Sequence, residues 1–518
     1  MPSSFDQMLA AGYGFTDPAV TLGAALERNS TVHQEPKVRI PLAMMNRHGL
    51  IAGATGTGKT KTLQLLTEQL SAQGVPVFAA DIKGDLSGLA MPGDANDRVT
   101  GRAKDIGWAW KPGGAPVEFV SLSGKLGVQL RATVSSFGPL LLGKALSLND
   151  TQTSVLTMVF KYCDDSQLPL LDLPDLRAVL QYLASDAGKP ALAQYGGMSG
   201  STVGVLLRQM IELESQGAGQ FFGEPEFDVK DMMHVTSDGR GVVTCLELAD
   251  VQDRPLLWST FTMWMLAELY HNLPEAGDLP KPKLAFFFDE AHLLFGGASK
   301  AFLDAVTRTV RLIRSKGVGI FFVTQQPTDV PDDVLAQLAN RVQHALRAFT
   351  PDDADALRKT VRTYPKTGDY QLEDALTALG TGEAIVTVMS ERGAPTPVAW
   401  TMLRAPRSRM APADAEAISA TVSASPLQAE YGHAVDRDSA YERLAAKLAP
   451  PAPATQAPAP PPEQSHRREP EPEQSGLGSV VTTVLGSSAT KSFLRSAATV
   501  LGREITRGML GTAKKRRR

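Results

Sequence analysis

The chain has 518 residues, of which 43% are hydrophobic and 21% are charged, and its formal net charge is −3 at pH 7. The length allows about two or three domains, or one large domain with insertions, and the composition is ordinary for a soluble globular protein. The net charge excludes a protein that is basic overall, as many nucleic-acid-binding proteins are, so any basic surface is local. The two cysteines lie far apart without CxxC spacing, which argues against a disulfide framework or a zinc site and favours a reducing compartment.

The N-terminal segment lacks the basic start and apolar run of a secretory signal. No stretch approaches the roughly 20 uninterrupted apolar residues of a membrane span. The most apolar stretch, residues 256–273, is interrupted by Glu268, His271 and Asn272 and is therefore predicted to be a buried helix. We expect a cytoplasmic protein.

The first part of the chain alternates between strand and helix patterns. Residues 1–47 are predicted to form an N-terminal lead-in with one short strand at 38–40. The segment 48–128 follows, with a strand at 50–52, a helix at 60–73 and strands at 75–81 and 117–120. Strands that alternate with helices predict a parallel sheet that is covered by helices on both faces.

The alternation stops at residues 129–236, which are predicted to be a helical insertion because apolar residues recur at three- and four-residue spacing. The predicted helices include 151–162, 173–183 and 202–213. The sheet pattern then resumes over 237–448, where strands are predicted at 241–248, 284–288, 318–323, 342–349 and 384–389.

The last part of the chain has a different composition. Residues 449–475 are rich in proline and charge, which predicts a disordered linker because such a segment buries too little apolar surface to offset its ordering entropy. Residues 476–518 return to a helical pattern and end in the basic run Lys514–Arg518. A basic amphipathic tail can bind an anionic membrane surface, nucleic acid or a protein partner, and a helix that packs on the core is the alternative.

The most specific motif is GxxxxGK[ST] at residues 53–60, between a predicted strand and a predicted helix. Its glycines let backbone N–H groups turn inward and surround phosphates at the positive end of the following helix. Lys59 is predicted to contact the β- and γ-phosphates, and the Thr60 hydroxyl to bind magnesium. The predicted nucleotide-binding residues are Gly53, Ala54, Thr55, Gly56, Thr57, Gly58, Lys59, Thr60 and Lys61.

Polar side chains follow two later strands of the predicted sheet. Asp289 and Glu290 come directly after the strand at 284–288. Asp289 is predicted to orient the magnesium ion, and Glu290 to polarise the water that attacks the γ-phosphate. Gln325, after the next strand, is predicted to contact the γ-phosphate and that water. Its neighbour Gln326 and a simple capping turn before a proline are the alternatives.

These three motifs, in this order, resemble the HerA/FtsK class of additional-strand, catalytic-glutamate P-loop motors. The resemblance extends to residues 81–85, 311–319 and 340–342, and the proline-rich linker with its basic tail is similar in particular to the YjgR-type HerA-like bacterial ATPases. It implies an α/β fold of the RecA-like P-loop NTPase type with a mostly parallel sheet. It also implies ATP as the substrate and Mg²⁺ as the metal.

The resemblance further implies a homo-oligomer, a ring-shaped hexamer that translocates DNA. In such a ring an arginine of the neighbouring subunit completes each site, and Arg311, Arg314 and Arg341 are the candidates, without a ranking. The chain departs from HerA proper, which carries a β-barrel before its P-loop, and from FtsK-type translocases, which add a winged-helix DNA reader. DNA as the translocated substrate therefore comes from the resemblance alone.

Two functions of other classes remain open at this stage. One is an ATPase that remodels or translocates protein, and the other is a nucleotide-dependent regulatory switch that acts through the helical insertion or the tail. The run Asp289–His292 also matches the DEAH motif of helicases. We discount that interpretation, because the P-loop lies too far away in the sequence and no second helicase lobe follows.

Overall fold

A computed structural model of the chain describes residues 3–28, 30–296 and 300–448. The strands are β1 (Ala19–Leu26), β2 (Val32–Pro41), β3 (Gly49–Ala52), β4 (Val77–Asp81), β5 (Val117–Ser121), β6 (Val128–Gln129), β7 (Val243–Glu247), β8 (Leu284–Phe288), β9 (Val318–Thr324), β10 (Asn340–Gln343), β11 (Glu383–Thr387) and β12 (Ala399–Leu403). The predicted linker (449–475) and basic tail (476–518) lie outside the described residues.

The α-helices are α1 (Ser4–Tyr13), α2 (Lys59–Ala72), α3 (Asp97–Asp105), α4 (Val134–Ala145), α5 (Asp150–Asp165), α6 (Leu173–Ala184), α7 (Lys189–Ala193), α8 (Gly200–Ser215), α9 (Ala218–Phe221), α10 (Pro255–Asn272), α11 (His292–Phe295), α12 (Lys300–Ile313), α13 (Asp332–Leu335), α14 (Pro351–Val361), α15 (Leu372–Ala378), α16 (Ala415–Ala424), α17 (Pro426–Tyr431) and α18 (Ala440–Leu448). Most predicted elements are present and differ from these bounds only by small shifts at their ends.

Among the described residues, twelve strands form one sheet in the order β2-β1-β12-β11-β10-β3-β9-β8-β4-β7-β5-β6. Every neighbouring pair from β10 to β6 is parallel. The pairs from β2 to β10 are antiparallel. The predicted α/β fold with a mostly parallel sheet is therefore confirmed.

The central strands are apolar throughout because helices cover both faces of the sheet. Successive side chains of β8 alternate between two cores: Phe286 and Phe288 pack in the core that contains α10, and Phe287 packs in the core that contains α2. The Phe287 and Phe321 rings stack with centroids 4.9 Å apart. These two cores fix the strand register and thereby the positions of the residues that follow each strand.

The lead-in predicted at residues 1–47 belongs to the sheet itself. Two strands, β1 and β2, form its antiparallel edge, and β1 pairs with β12, which the sequence pattern did not reveal. Close approach of β12 requires a glycine, since a Cβ at Gly23 would lie 1.9 Å from the Met402 carbonyl oxygen. The small residues of β1 give a weak strand signal, so the pairing depends on contacts far away in sequence.

The strand predicted at 342–349 is wrong beyond Gln343. The chain leaves the sheet there, and the N–H of His344 still donates to Ala52 O at 2.7 Å. The Ala345 carbonyl then accepts from Ala54 N at 2.8 Å, and the N–H of Leu346 donates to Leu376 O at 2.9 Å. Residues 344–349 continue the apolar pattern, but the backbone at Ala345 bonds to the P-loop, and the segment does not extend the pairing of β10 with β11.

The helices predicted at 151–162, 173–183 and 202–213 correspond to α5, α6 and α8. Side-chain caps begin each of them, with capping boxes at Asn149 and Asp172 and a capping hydroxyl at Ser199. Their apolar faces pack into the same core as α10. The predicted buried helix at 256–273 is α10, and no helix in the described part of the chain is long and apolar enough to cross a membrane.

Candidate functional site

The carboxyl ends of four adjacent parallel strands meet at one edge of the sheet. In register, Ala52 of β3 lies beside Thr324 of β9, and Phe288 of β8 lies beside Phe322 of β9 and Ala80 of β4. The loops after these strands carry the P-loop, the Asp-Glu pair, the glutamines and residues 81–85. Four segments that are distant in sequence are therefore brought together, at the edge where open parallel sheets bind ligands.

The P-loop turns between the end of β3 and the start of α2. Gly53 has a φ of 155°, and a Cβ there would lie 2.5 Å from the Cβ of His344, so the close approach of the chain around His344 excludes any larger residue. Gly56 has a φ of 79°, and a Cβ there would meet nothing within 4 Å. The outer side of the loop thus faces open space, as a phosphate-binding loop requires.

Lys59 and Thr60 form the first turn of α2, at the positive end of a 14-residue helix. The side chain of Lys59 folds over the loop, and its Nζ donates to Ala54 O at 3.2 Å. Burial lowers the pKa of Lys59, an effect that the charge of Glu290 opposes. Lys61 points along the helix, where its Nζ lies 3.3 Å from Gln64 Oε1. The ammonium group best placed for phosphates is therefore that of Lys59.

Asp289 directly follows β8, and its side chain is buried. Its Oδ1 accepts from Glu290 N at 2.9 Å, whereas its Oδ2 is buried without a hydrogen-bond partner. Burial, together with the charge of Glu290, raises the pKa of Asp289 to about 7. One carboxylate oxygen each of Asp81, Asp85 and Asp289 lies within 4.8 Å of the others. Asp85 Oδ1 is likewise buried without a hydrogen-bond partner, so this set of hard oxygen donors, two of them unsatisfied, fits a magnesium ion.

Glu290 has a φ of 45°, in the left-handed region that a non-glycine residue adopts at a cost of about 1–3 kcal/mol. Its side chain is 5% exposed and forms an ion pair with Lys83 Nζ, while His292 Nδ1 lies 3.1 Å from its Oε2. Burial raises the pKa of Glu290, but the hydrogen bond and charge of Lys83, together with the charges of His292 and Lys59, more than offset this, so the pKa lies below its ordinary value. Glu290 is thus held as a carboxylate beside Asp289.

Sequence reasoning missed Lys83, although it singled out the segment 81–85. Asp81 is fully buried, and its carboxylate accepts the N–H groups of Lys83, Gly84, Asp85 and Leu86 at 2.7–3.3 Å. Gly84 turns the chain with a φ of 75°. The motif is therefore a loop folded around one buried carboxylate. A lysine at the end of the strand next to β8 was the available signal.

The two glutamines after β9 differ in their surroundings. Gln326 forms the turn before Pro327: its N–H donates to Asp329 Oδ2 at 2.8 Å, and its Nε2 donates to Asp353 Oδ1 at 3.3 Å. Gln325 is exposed at the strand end. The capping alternative thus describes Gln326, and the predicted contact of Gln325 with the γ-phosphate stays a prediction.

The three candidate finger arginines lie at the opposite edge, where the parallel strands begin. Arg311 and Arg314 are exposed and line a cleft with Asp278, which precedes β8. Arg341 is the second residue of β10, and its guanidinium donates to Thr363 Oγ1 at 2.6 Å and lies 6.0 Å from the Tyr364 ring centroid. Because the P-loop is at the other end of the strands, these arginines can act on a nucleotide only if it is bound by another subunit.

Comparison with known proteins places this geometry in a family. The family model described as Helicase HerA-like C-terminal matches residues 27–518. The chain belongs to this family. Its match begins before β2 and includes every residue of the site described above. No curated protein matches the sequence.

Several solved structures are similar in part. The bacterial conjugative coupling protein TrwB is 14% identical, with 78% of this chain and 99% of that chain covered and a TM-score of 0.48. VirB4 of Thermoanaerobacter pseudethanolicus is 13% identical, with 76% and 98% covered and a TM-score of 0.47. TrwB in complex with a non-hydrolysable ATP analogue is 14% identical, with 77% and 99% covered and a TM-score of 0.48. The family assignment rests on the family model.

Proposed function

We propose that this chain binds ATP with Mg²⁺ and hydrolyses it to ADP and phosphate. The observation that carries the proposal is the meeting of the P-loop, the unpartnered Asp289 Oδ2 and the buried Glu290 at one sheet edge. Each part performs a different task in phosphoryl transfer to water, and none is useful without the others. Their convergence from distant segments therefore supports an ATPase more strongly than any one motif.

Thr60 and Asp289 are the residues that would hold magnesium, with the unpartnered Asp85 Oδ1 close to Asp289, since magnesium takes hard oxygen ligands. When bound, the ion neutralises charge on the phosphate oxygens. Lys59 and the N–H groups at the start of α2 bind the phosphates. Glu290 orients a water and accepts its proton as the water oxygen bonds to the γ-phosphorus, while the bond from that phosphorus to the β–γ bridging oxygen breaks and ADP leaves.

A cleft of about 750 Å³ beside the P-loop has the size for the nucleoside. It is lined by Gly58, Thr62, Arg102 and Met402, among others. The Arg102 guanidinium donates to the Gly382 carbonyl at 3.0 Å and so fixes one wall of the cleft. We propose that the base and ribose occupy this cleft while the phosphates face Gly56.

We further propose that ATP hydrolysis drives movement along nucleic acid in a ring of identical subunits, which family membership supports. The test is the ATP turnover of the full chain alone and with duplex DNA, single-stranded DNA or RNA. We expect one of these to raise kcat at low salt, with the effect falling as salt rises because phosphate contacts are screened. Turnover that no nucleic acid changes, but that an unfolded protein stimulates, would favour the protein-remodelling function instead.

The assembly has its own expected outcome. If the site is completed by the neighbouring subunit, one of Arg311→Ala, Arg314→Ala and Arg341→Ala should bind ATP normally but hydrolyse it about 10³- to 10⁵-fold more slowly. Adding Lys59→Ala subunits should restore part of the activity, because a hybrid interface joins an intact P-loop to an intact arginine. Phosphate release and oligomer mass are the measurements. A fully active monomer would exclude this arrangement.

A further inference from the structure

Lys83 makes the one hydrogen bond to the Glu290 carboxylate that the described residues provide. The Glu290 side chain is 5% exposed and the Lys83 side chain is 48% exposed, so the lysine reaches a fixed, buried carboxylate from the solvent side. The other oxygen, Oε2, has no hydrogen-bond partner, although His292 Nδ1 lies 3.1 Å away. The hydrogen bond that holds the carboxylate is therefore that of Lys83, with His292 beside the second oxygen.

The backbone that carries Lys83 is anchored as firmly as the carboxylate it holds. The buried Asp81 carboxylate accepts four consecutive N–H groups of the loop, at 3.1 Å from Lys83 and 2.7 Å from Leu86. A surface lysine on a flexible segment would gain little from an ion pair, because exposed pairs contribute about 0–1 kcal/mol. Removal of the partner of a buried carboxylate destabilises the site more, because the carboxylate charge stays buried and unpaired.

Glu290 also needs an external restraint because its backbone is strained. Its φ of 45° is unfavourable for a residue with a side chain, and such conformations persist only where surrounding contacts enforce them. The Leu293 N–H donates to the Glu290 carbonyl at 2.8 Å, and His292 Nδ1 lies 3.1 Å from Oε2. Two further contacts are Asp289 Oδ1, which accepts the Glu290 N–H at 2.9 Å, and the Lys83 ion pair at the side chain. One holds the backbone of Glu290 and the other holds its carboxylate.

We propose that Lys83 is a positioning residue for the ATPase reaction, which holds the Glu290 carboxylate at the P-loop edge in the orientation that the attacking water requires. The inference rests on the proposed function. Lys83 acts through Glu290, so its loss should slow the chemical step and leave nucleotide binding, which depends on Lys59 and the loop, nearly unchanged.

The test compares full-length Lys83→Ala and Lys83→Arg with the wild type. We expect Lys83→Ala to lower kcat by about 10- to 100-fold and to change KM by less than about threefold. The fall in kcat is smaller than the roughly 10²- to 10⁴-fold contribution of a general base, because Glu290 itself remains. Lys83→Arg retains the charge and should recover most of the loss. Lys161→Ala, which removes an exposed lysine from an ion pair with Asp165, is the matched control and should leave both constants unchanged.

A double-mutant cycle separates positioning from a general loss of structure. In the Glu290→Gln background, Lys83→Ala should cause no further fall in kcat, because the group it positions is already gone. An equal fall in both backgrounds, or a Lys83→Ala kcat equal to or above that of the wild type, would overturn the inference. Thermal unfolding identifies a misfolded variant, in which case Lys83→Gln replaces it. The proposed function is tested separately: if the wild type hydrolyses ATP and Glu290→Gln does not, the ATPase assignment holds whatever the result for Lys83.

Discussion

Lys59→Ala is expected to abolish ATP turnover. Lys59 is buried at the start of α2 and is the ammonium group placed to bind the phosphates. Removing it takes away a positive charge where negative charge develops in the transition state, in a partly buried site where that charge is screened weakly. Loss of a single neutral hydrogen-bond donor to such charge lowers kcat by about 10²- to 10³-fold, and loss of a full positive charge should lower it further. Binding of ATP should weaken as well, because the same charge contacts the ground-state phosphates.

Phosphate release at saturating ATP and the binding of a fluorescent ATP analogue measure the two effects. Lys189→Ala, at an exposed lysine paired with Asp186, is the matched control and should behave as the wild type does. An unchanged melting temperature confirms that the variant is folded. Wild-type turnover in Lys59→Ala would mean that the nucleotide is bound elsewhere, and the proposed function would be lost.

Glu290→Gln should separate binding from hydrolysis. The amide has nearly the same shape as the carboxylate but cannot accept the proton of the attacking water, so kcat should fall by about 10²- to 10⁴-fold. Asp289, Thr60 and the P-loop are untouched, and ATP should therefore bind with nearly wild-type affinity. The variant should accumulate bound ATP rather than ADP, which quenched single-turnover assays measure directly.

Glu391→Gln, at an exposed turn, provides the control for this substitution. It removes the same charge from the chain and should leave hydrolysis unaltered. Normal turnover in Glu290→Gln would show that another group orients the water. In that outcome Gln325, which is exposed at the end of β9, is the next residue to replace.

Much of the site could be predicted from the sequence because each motif carries its own local geometry. The glycines at 53–58 permit the turn, the strand pattern before Asp289 and Glu290 places them at a strand end, and parallel strands bring their ends to one edge. The apolar residues of β8 and β9 follow one another without polar alternation, which is typical of strands that are buried on both faces. In these segments the local sequence pattern predicts the same turn or strand that the fold contains.

The tertiary structure decided what depends on contacts between distant segments. The pairing of β1 with β12, the departure of residues 344–349 from the sheet and the different roles of the two glutamines follow from such contacts. The Lys83–Glu290 ion pair joins residues 207 positions apart, and the place of Lys83 after a strand becomes informative only once the strand order sets β4 beside β8. By itself, the sequence determined which residues stand at the strand ends. Strand order and side-chain packing determined which of them touch, because those distances are set by the whole sheet.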